Sequence, residues 1–134
     1  MLKKLILISG FVFSSLVFAG ENIVKEKNID SMNLYELKEV RKNLRQKLDD
    51  YEFDYHYTLT HNRIQYKIIN YKIDKQANPD NANKVLSAKS KVNDAFVNIN
   101  KKTEFIYKTK RKMVNSNIKA VNGLIKSKTK REFN

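Results

Sequence analysis

Cysteine is absent from the 134-residue chain, so neither disulfides nor thiolate metal sites can hold it together, and packing must do so. Proline occurs once, at Pro79, and glycine three times, at Gly10, Gly20 and Gly123. Neither breaker falls between Glu21 and Asn78. A β-sandwich needs a turn about every ten residues, so this run favours long uninterrupted helix. A Gly-rich phosphate loop, a Cys nucleophile and a G-x-S-x-G turn are also missing. Only His56 and His61 supply imidazole; five residues apart on a helix, they point roughly 140° from each other and cannot share a metal. Asp49, Asp50, Glu52 and Asp54 cluster in sequence, but a helix spreads them around its surface, and paired helices enclose no pocket in which to tune their acidity. The expectation is a non-enzymatic protein without a cofactor or metal.

What is present begins with Met1-Leu2-Lys3-Lys4, an apolar run from Leu5 to Phe18, and Ala19-Gly20-Glu21. Two lysines, an apolar core of about fourteen residues and a small-residue exit read as a secretory signal peptide over 1–19, since a membrane anchor needs roughly twenty apolar residues. Val17 and Ala19 fit the positions before a cut at Ala19/Gly20. A short signal anchor is the alternative. No Cys follows the run, which excludes a lipoprotein anchor. The expected location is therefore outside the cytoplasm, in the periplasm, outer membrane or cell surface of a bacterium.

Charge is unevenly distributed. The net +13 arises almost wholly after residue 82. Residues 20–82 carry eleven basic and eleven acidic groups, whereas 83–134 carry fourteen basic groups against Asp94, Glu104 and Glu132. Such a field attracts anionic polymers and surfaces in a salt-dependent way. Export argues against nucleic acid and leaves anionic lipid, acidic glycan, acidic protein or a second copy. A solvated face that only keeps the chain soluble is the bland alternative. The candidate anion-binding residues are Lys101, Lys102, Lys108, Lys110, Arg111, Lys112, Lys126, Lys128, Lys130 and Arg131.

Glu21 to Asp30 is short, polar and aperiodic, and residues 20–30 read as a flexible arm. From there Leu34, Leu37, Leu44, Leu48, Tyr51 and Tyr55 follow three- and four-residue steps, continued through Thr58, Asn62, Tyr66, Ile69 and Ile73. Asp30 or Ser31 is the expected cap. Tyr51 to Leu59 also alternates as a strand would, and Ile64 to Ile68 could pair with it, so a β-hairpin competes with helix there. The missing turn glycine weighs against the hairpin. Beyond Pro79, Val85, Val92, Ile99, Ile106, Met113 and Ala120 recur every seventh residue, a single stripe along a second helix. With a turn over 77–83 centred near residue 79, antiparallel pairing sets Ile73 near Val85, Leu44 near Met113 or Val114, and Leu37 near Val121. Apolar positions thus meet apolar positions along both segments. The predicted fold is all-α: a long antiparallel two-helix hairpin over 31–126, fraying near Asn122-Gly123 into a basic tail over 127–134. Tyr51, Tyr55 and Tyr66 belong to the seam; Tyr57 and Tyr71 lie off it, as interface aromatics would.

This pattern resembles the fusobacterial FadA adhesin family in its signal segment Met1 to Ala19, its leucine row Leu34, Leu37, Leu44 and Leu48, its loop at Ala77 to Asn83 and its returning helix Val85 to Leu124. The resemblance implies hairpins that self-associate through the leucine row into filaments, sit on the bacterial surface and bind host-cell receptors. The chain is Lys/Asn/Ile/Tyr-rich where that family is Ala/Glu/Gln-rich. Basic exported helical hairpins also resemble Skp-type holdase chaperones, which would require a trimerising β-rich body, here available only from Tyr51 to Ile73.

Overall fold

A computed structural model of the chain describes residues 29–133. The expected signal peptide, most of the expected arm and Asn134 lie outside the described residues. Two helices, α1 (Leu34–Gln76) and α2 (Ala82–Phe133), are joined by a short 3-10 turn at Pro79–Asn81, and another 3-10 turn at Ile29–Ser31 precedes α1. The fold is an all-α helical hairpin. There is no strand among the described residues. The β-hairpin alternative fails because Tyr51 to Ile73 keeps its three-four rhythm as one continuous face of α1, and packing along that face outweighs local β-propensity. No helix among the described residues is long and apolar enough to cross a membrane.

The caps fall on asparagines. The Asn33 side-chain Oδ1 accepts from the Glu36 amide at 2.8 Å while Glu36 Oε2 accepts from the Asn33 amide at 3.0 Å, a reciprocal capping box. Asp30 and Ser31, the expected caps, lie instead in the preceding 3-10 turn. At the reversal, Asn78 is extended, as the residue before a proline must be. Its side chain accepts from the Asp80 and Asn81 amides, and Asn81 returns a bond to the Asn78 amide. Asn81 Nδ2 also donates to the last carbonyl of α1, Gln76 O, at 2.8 Å. The chain therefore reverses with no residue at positive φ.

The chain divides into two compact units. In the unit spanning Tyr55–Phe105, Ile69, Ile73, Val85 and Val92 form the core, flanked by Tyr66 and Ala88. Tyr66 stacks on Phe96 with ring centroids 4.5 Å apart. Towards the unit's other end the seam turns polar. Thr58, Asn62 and Thr103 are buried, Asn62 Nδ2 donates to Asn100 Oδ1 at 3.1 Å, and the Thr103 hydroxyl is satisfied by the Ile99 carbonyl. Asp74 pairs with Lys89, and the Tyr66 hydroxyl meets Asn93 at 3.3 Å. These partners place the reversal slightly beyond Pro79, in the 3-10 turn itself.

The second unit holds the described residues up to Asp54 and from Ile106 onward. Its core is Met32, Leu37, Leu44, Val114 and Val121, with Val40, Leu48, Tyr51, Ile118, Leu124 and Ile125 packed against it. Burial, reinforced by the Asp50 carboxylate, raises the Tyr51 phenol above its ordinary 10.0. The neutral phenol is thus favoured by folding, a contribution present below pH 10 and lost as pH rises beyond it.

Two expectations need correction here. The seven-residue row on α2 keeps Val85 and Val92 in a core, but Met113 is only half-buried and Ala120 is exposed; their neighbours Val114 and Val121 are buried instead. The reason is helix pitch: at 3.6 residues per turn a strict heptad row drifts about 20° per repeat, enough over five repeats to carry it off the seam. Burial instead runs through Val85, Val92, Thr103, Val114 and Val121, in steps of seven and eleven whose opposite drifts of about 20° cancel on a straight helix. Secondly, α2 does not fray at Asn122-Gly123, and the expected basic tail continues it to Phe133. Leu124 and Ile125 pack on the core, and the Lys128 ammonium donates to the carbonyls of Asp30 and Met32. A Cβ added at Gly123 would meet nothing within 4 Å. Gly123→Ala is accordingly expected to stabilise the chain by about 0.5–1 kcal/mol, read as a rise in the urea midpoint; a fall would mean that the glycine is needed there.

Candidate functional site

The strongest chemical feature of the second unit is a cationic row on α2. Lys108, Lys112, Lys119, Lys126 and Lys130 are all exposed, and their spacing returns each to within about 40° of one line along a helix of 3.6 residues per turn. The fully buried Val121 and the buried Val114 point more than about 100° away on the same geometry. The helix is amphipathic with its apolar face spent on the core, so the cations are what it presents to solvent. Lys108, Arg111, Lys112, Asn115, Ser116 and Lys119 line one open groove. The described residues that line it are four cations and two hydrogen-bonding side chains.

The ten basic residues singled out from sequence separate into groups. Lys108, Arg111 and Lys112 share the groove, and Lys126 and Lys130 extend its line. Arg131 is exposed. Lys110 is half-buried, on the seam side of the helix. Lys128 is half-buried and committed to the Asp30 and Met32 carbonyls. Lys101 and Lys102 are exposed but belong to the other unit. Lys119 was missed; its signal was the i, i+4, i+7, i+11 rhythm of Lys108, Lys112, Asn115 and Lys119.

Of the leucine row, Leu37 and Leu44 are buried inside the chain, while Leu34 and Leu48 are half-buried. Arg41, which takes the polar place in that row, donates to Asn122 Oδ1 at 3.2 Å. The off-seam aromatics Tyr57 and Tyr71 are exposed, and Lys75 lies 4.7 Å over the Tyr71 ring. Among the described residues no group of His, Asp and Glu is arranged to hold a metal ion. The arrangement can do one thing well: hold a row of negative charges by Coulomb attraction and ammonium hydrogen bonds. No protein-family model matches the chain, and comparison with curated proteins and with solved structures finds no significant match.

Proposed function

We propose that this chain is an exported, non-enzymatic attachment protein that engages acidic glycan on a cell surface through the cationic row of α2. The observation that carries the reading is the groove whose described lining residues include the four cations Lys108, Arg111, Lys112 and Lys119 and no carboxylate. The signal-like N-terminus and the architectural resemblance to FadA-type adhesins support a surface location and host-cell attachment. A glycan suits the row better than a bilayer does. Helices that settle into a membrane interface pair cations with a free apolar face, and here Val114 and Val121 are buried in the chain. The Skp-type alternative has less support, since Tyr51 to Ile73, which would have to supply its β-rich body, is helical.

The test is a titration of a linear sulfated glycan and, in parallel, of anionic lipid vesicles at graded salt. Glycan binding is expected to weaken by tenfold or more between about 50 and 200 mM salt, as counterion release requires for several contacts. Replacing Lys108, Lys112 and Lys119 together with glutamate should cost about 100-fold, at ~1 kcal/mol for each cation near an anionic surface. A flat salt response, or vesicle binding that exceeds glycan binding, would overturn the proposal. So would unchanged host-cell adhesion in a strain that lacks the gene.

A further inference from the structure

The cationic row of α2 has a spacing as well as a sign. Lys112, Lys119, Lys126 and Lys130 are exposed and stay within about 40° of one line along a helix of 3.6 residues per turn. At 1.5 Å per residue, Lys119 stands about 10.5 Å along the axis from each of Lys112 and Lys126, and the four together span about 27 Å. No acidic residue occurs between Ile106 and Arg131, so nothing of opposite sign in that stretch interrupts the row. An ammonium is a compact point charge that fixes no partner geometry, unlike the planar fork of an arginine. Such a row reads how far apart negative charges lie, and along what line, before it reads what carries them.

Beside the row the helix surface is low. Ser116, Ala120, Gly123 and Ser127 are exposed and form a strip about 70° round the helix from the lysines and about 140° from the buried Val114 and Val121. Ser116 also lines the groove, so groove and strip are continuous. Gly123 is the lowest point of the strip. Its φ is not positive, a Cβ there would meet nothing within 4 Å, and glycine inside a helix costs stability relative to alanine. The fold gives no reason for it; a polymer laid along the lysines does, because the missing side chain lets it rest against the helix backbone. We infer that α2 takes its glycan as a straight, unbranched polyanion that runs from Lys112 to Lys130 over Gly123, with negative groups recurring about every 10 Å. That repeat suits a linear glycan with one acidic cluster per disaccharide. The inference rests on the reading of the row as a glycan site and adds the ligand's minimum length, its charge repeat and a specificity-determining glycine.

Calorimetric titration with size-fractionated linear sulfated oligosaccharides tests this. Affinity is expected to rise about fivefold for each further lysine that a longer chain reaches, the worth of one cation near an anionic surface, and to level off once the chain spans about 27 Å. The slope of log affinity against log salt should grow in step and stop at the value for about four contacts. Lys119→Ala with Ala120→Lys keeps the net charge but turns one cation about 100° round the helix. It should weaken the spanning oligosaccharide at least about fivefold. Gly123→Leu should leave helix content and urea midpoint intact or raised, weaken the spanning oligosaccharide about tenfold by obstructing its path, and leave a disaccharide's binding unchanged. Binding that ignores chain length, wild-type affinity in the charge-shifted variant, or unchanged affinity in Gly123→Leu would each overturn the inference and leave the glycan reading standing. Absence of binding at every length would overturn both.

Discussion

Val121→Asp is expected to abolish cooperative folding of the unit in which it lies, at a cost above about 4 kcal/mol, the range reached when an unpaired charge is buried. The side chain is fully buried among Leu37, Leu44 and Val114, and Asp is too short to carry its carboxylate out to water. A domain of this size has only about 5–15 kcal/mol of stability to lose. Ala120→Asp, one residue earlier, should cost less than about 1 kcal/mol, little more than the propensity difference between Ala and Asp, because Ala120 is exposed. The pair separates the observed seam from the strict seven-residue row, which assigns the buried place to residue 120. Burial raises the folded-state pKa of the new carboxyl above its unfolded value. Stability should therefore return in part as pH falls towards and below the unfolded value near 4 and be lost as pH rises. Thermal melts of both variants at neutral and acid pH decide the matter; equal destabilisation at the two positions would refute the assigned seam.

The second large effect concerns the amide pair of the buried Asn62 and the half-buried Asn100. Asn62→Ala should cost about 1–3 kcal/mol, because it removes a hydrogen bond inside a closed seam and leaves a void. Replacing Asn62 and Asn100 together with leucine is expected to be neutral or stabilising, since matched apolar groups need no partners. The gain comes with looser pairing: a single polar residue in a helical seam fixes register, and its loss lets helices slide or recruit further copies. Denaturation midpoint and solution mass should therefore move together in the double variant, to a higher midpoint with a mixed mass. A double variant less stable than Asn62→Ala would show that the seam there depends on polarity itself. Asn62 is completely buried and tied to a partner 38 residues away, so it makes a narrower lock than any of the apolar seam residues can.

The sequence disclosed the helices, the turn and the apolar half of the seam, because each rests on a local signal. Three- and four-residue steps mark a helical face, and a lone proline between asparagines marks a reversal. What it concealed depends on pitch and on partners. A row of six residues at seven-residue spacing looks like one face only if the helix supercoils; without that, Val114 and Val121 take the places of Met113 and Ala120. The caps were legible in principle, since Asn33 and Glu36 stand at capping-box spacing, yet Asp30 and Ser31 drew attention by residue type alone. Lysines crowd the second half so densely that composition cannot rank them. Only the fold parts Lys128, which holds backbone carbonyls, from Lys119, which lines the groove.

The Lys128 ammonium has a consequence for anything fused to or removed from this protein. By holding the carbonyls of Asp30 and Met32, a side chain in the last turns of α2 staples the 3-10 turn that precedes α1. Trimming the C-terminal residues as a dispensable tail would therefore loosen the opposite terminus. A label attached beyond Arg131 sits within a few residues of the joint on which any N-terminal attachment pulls.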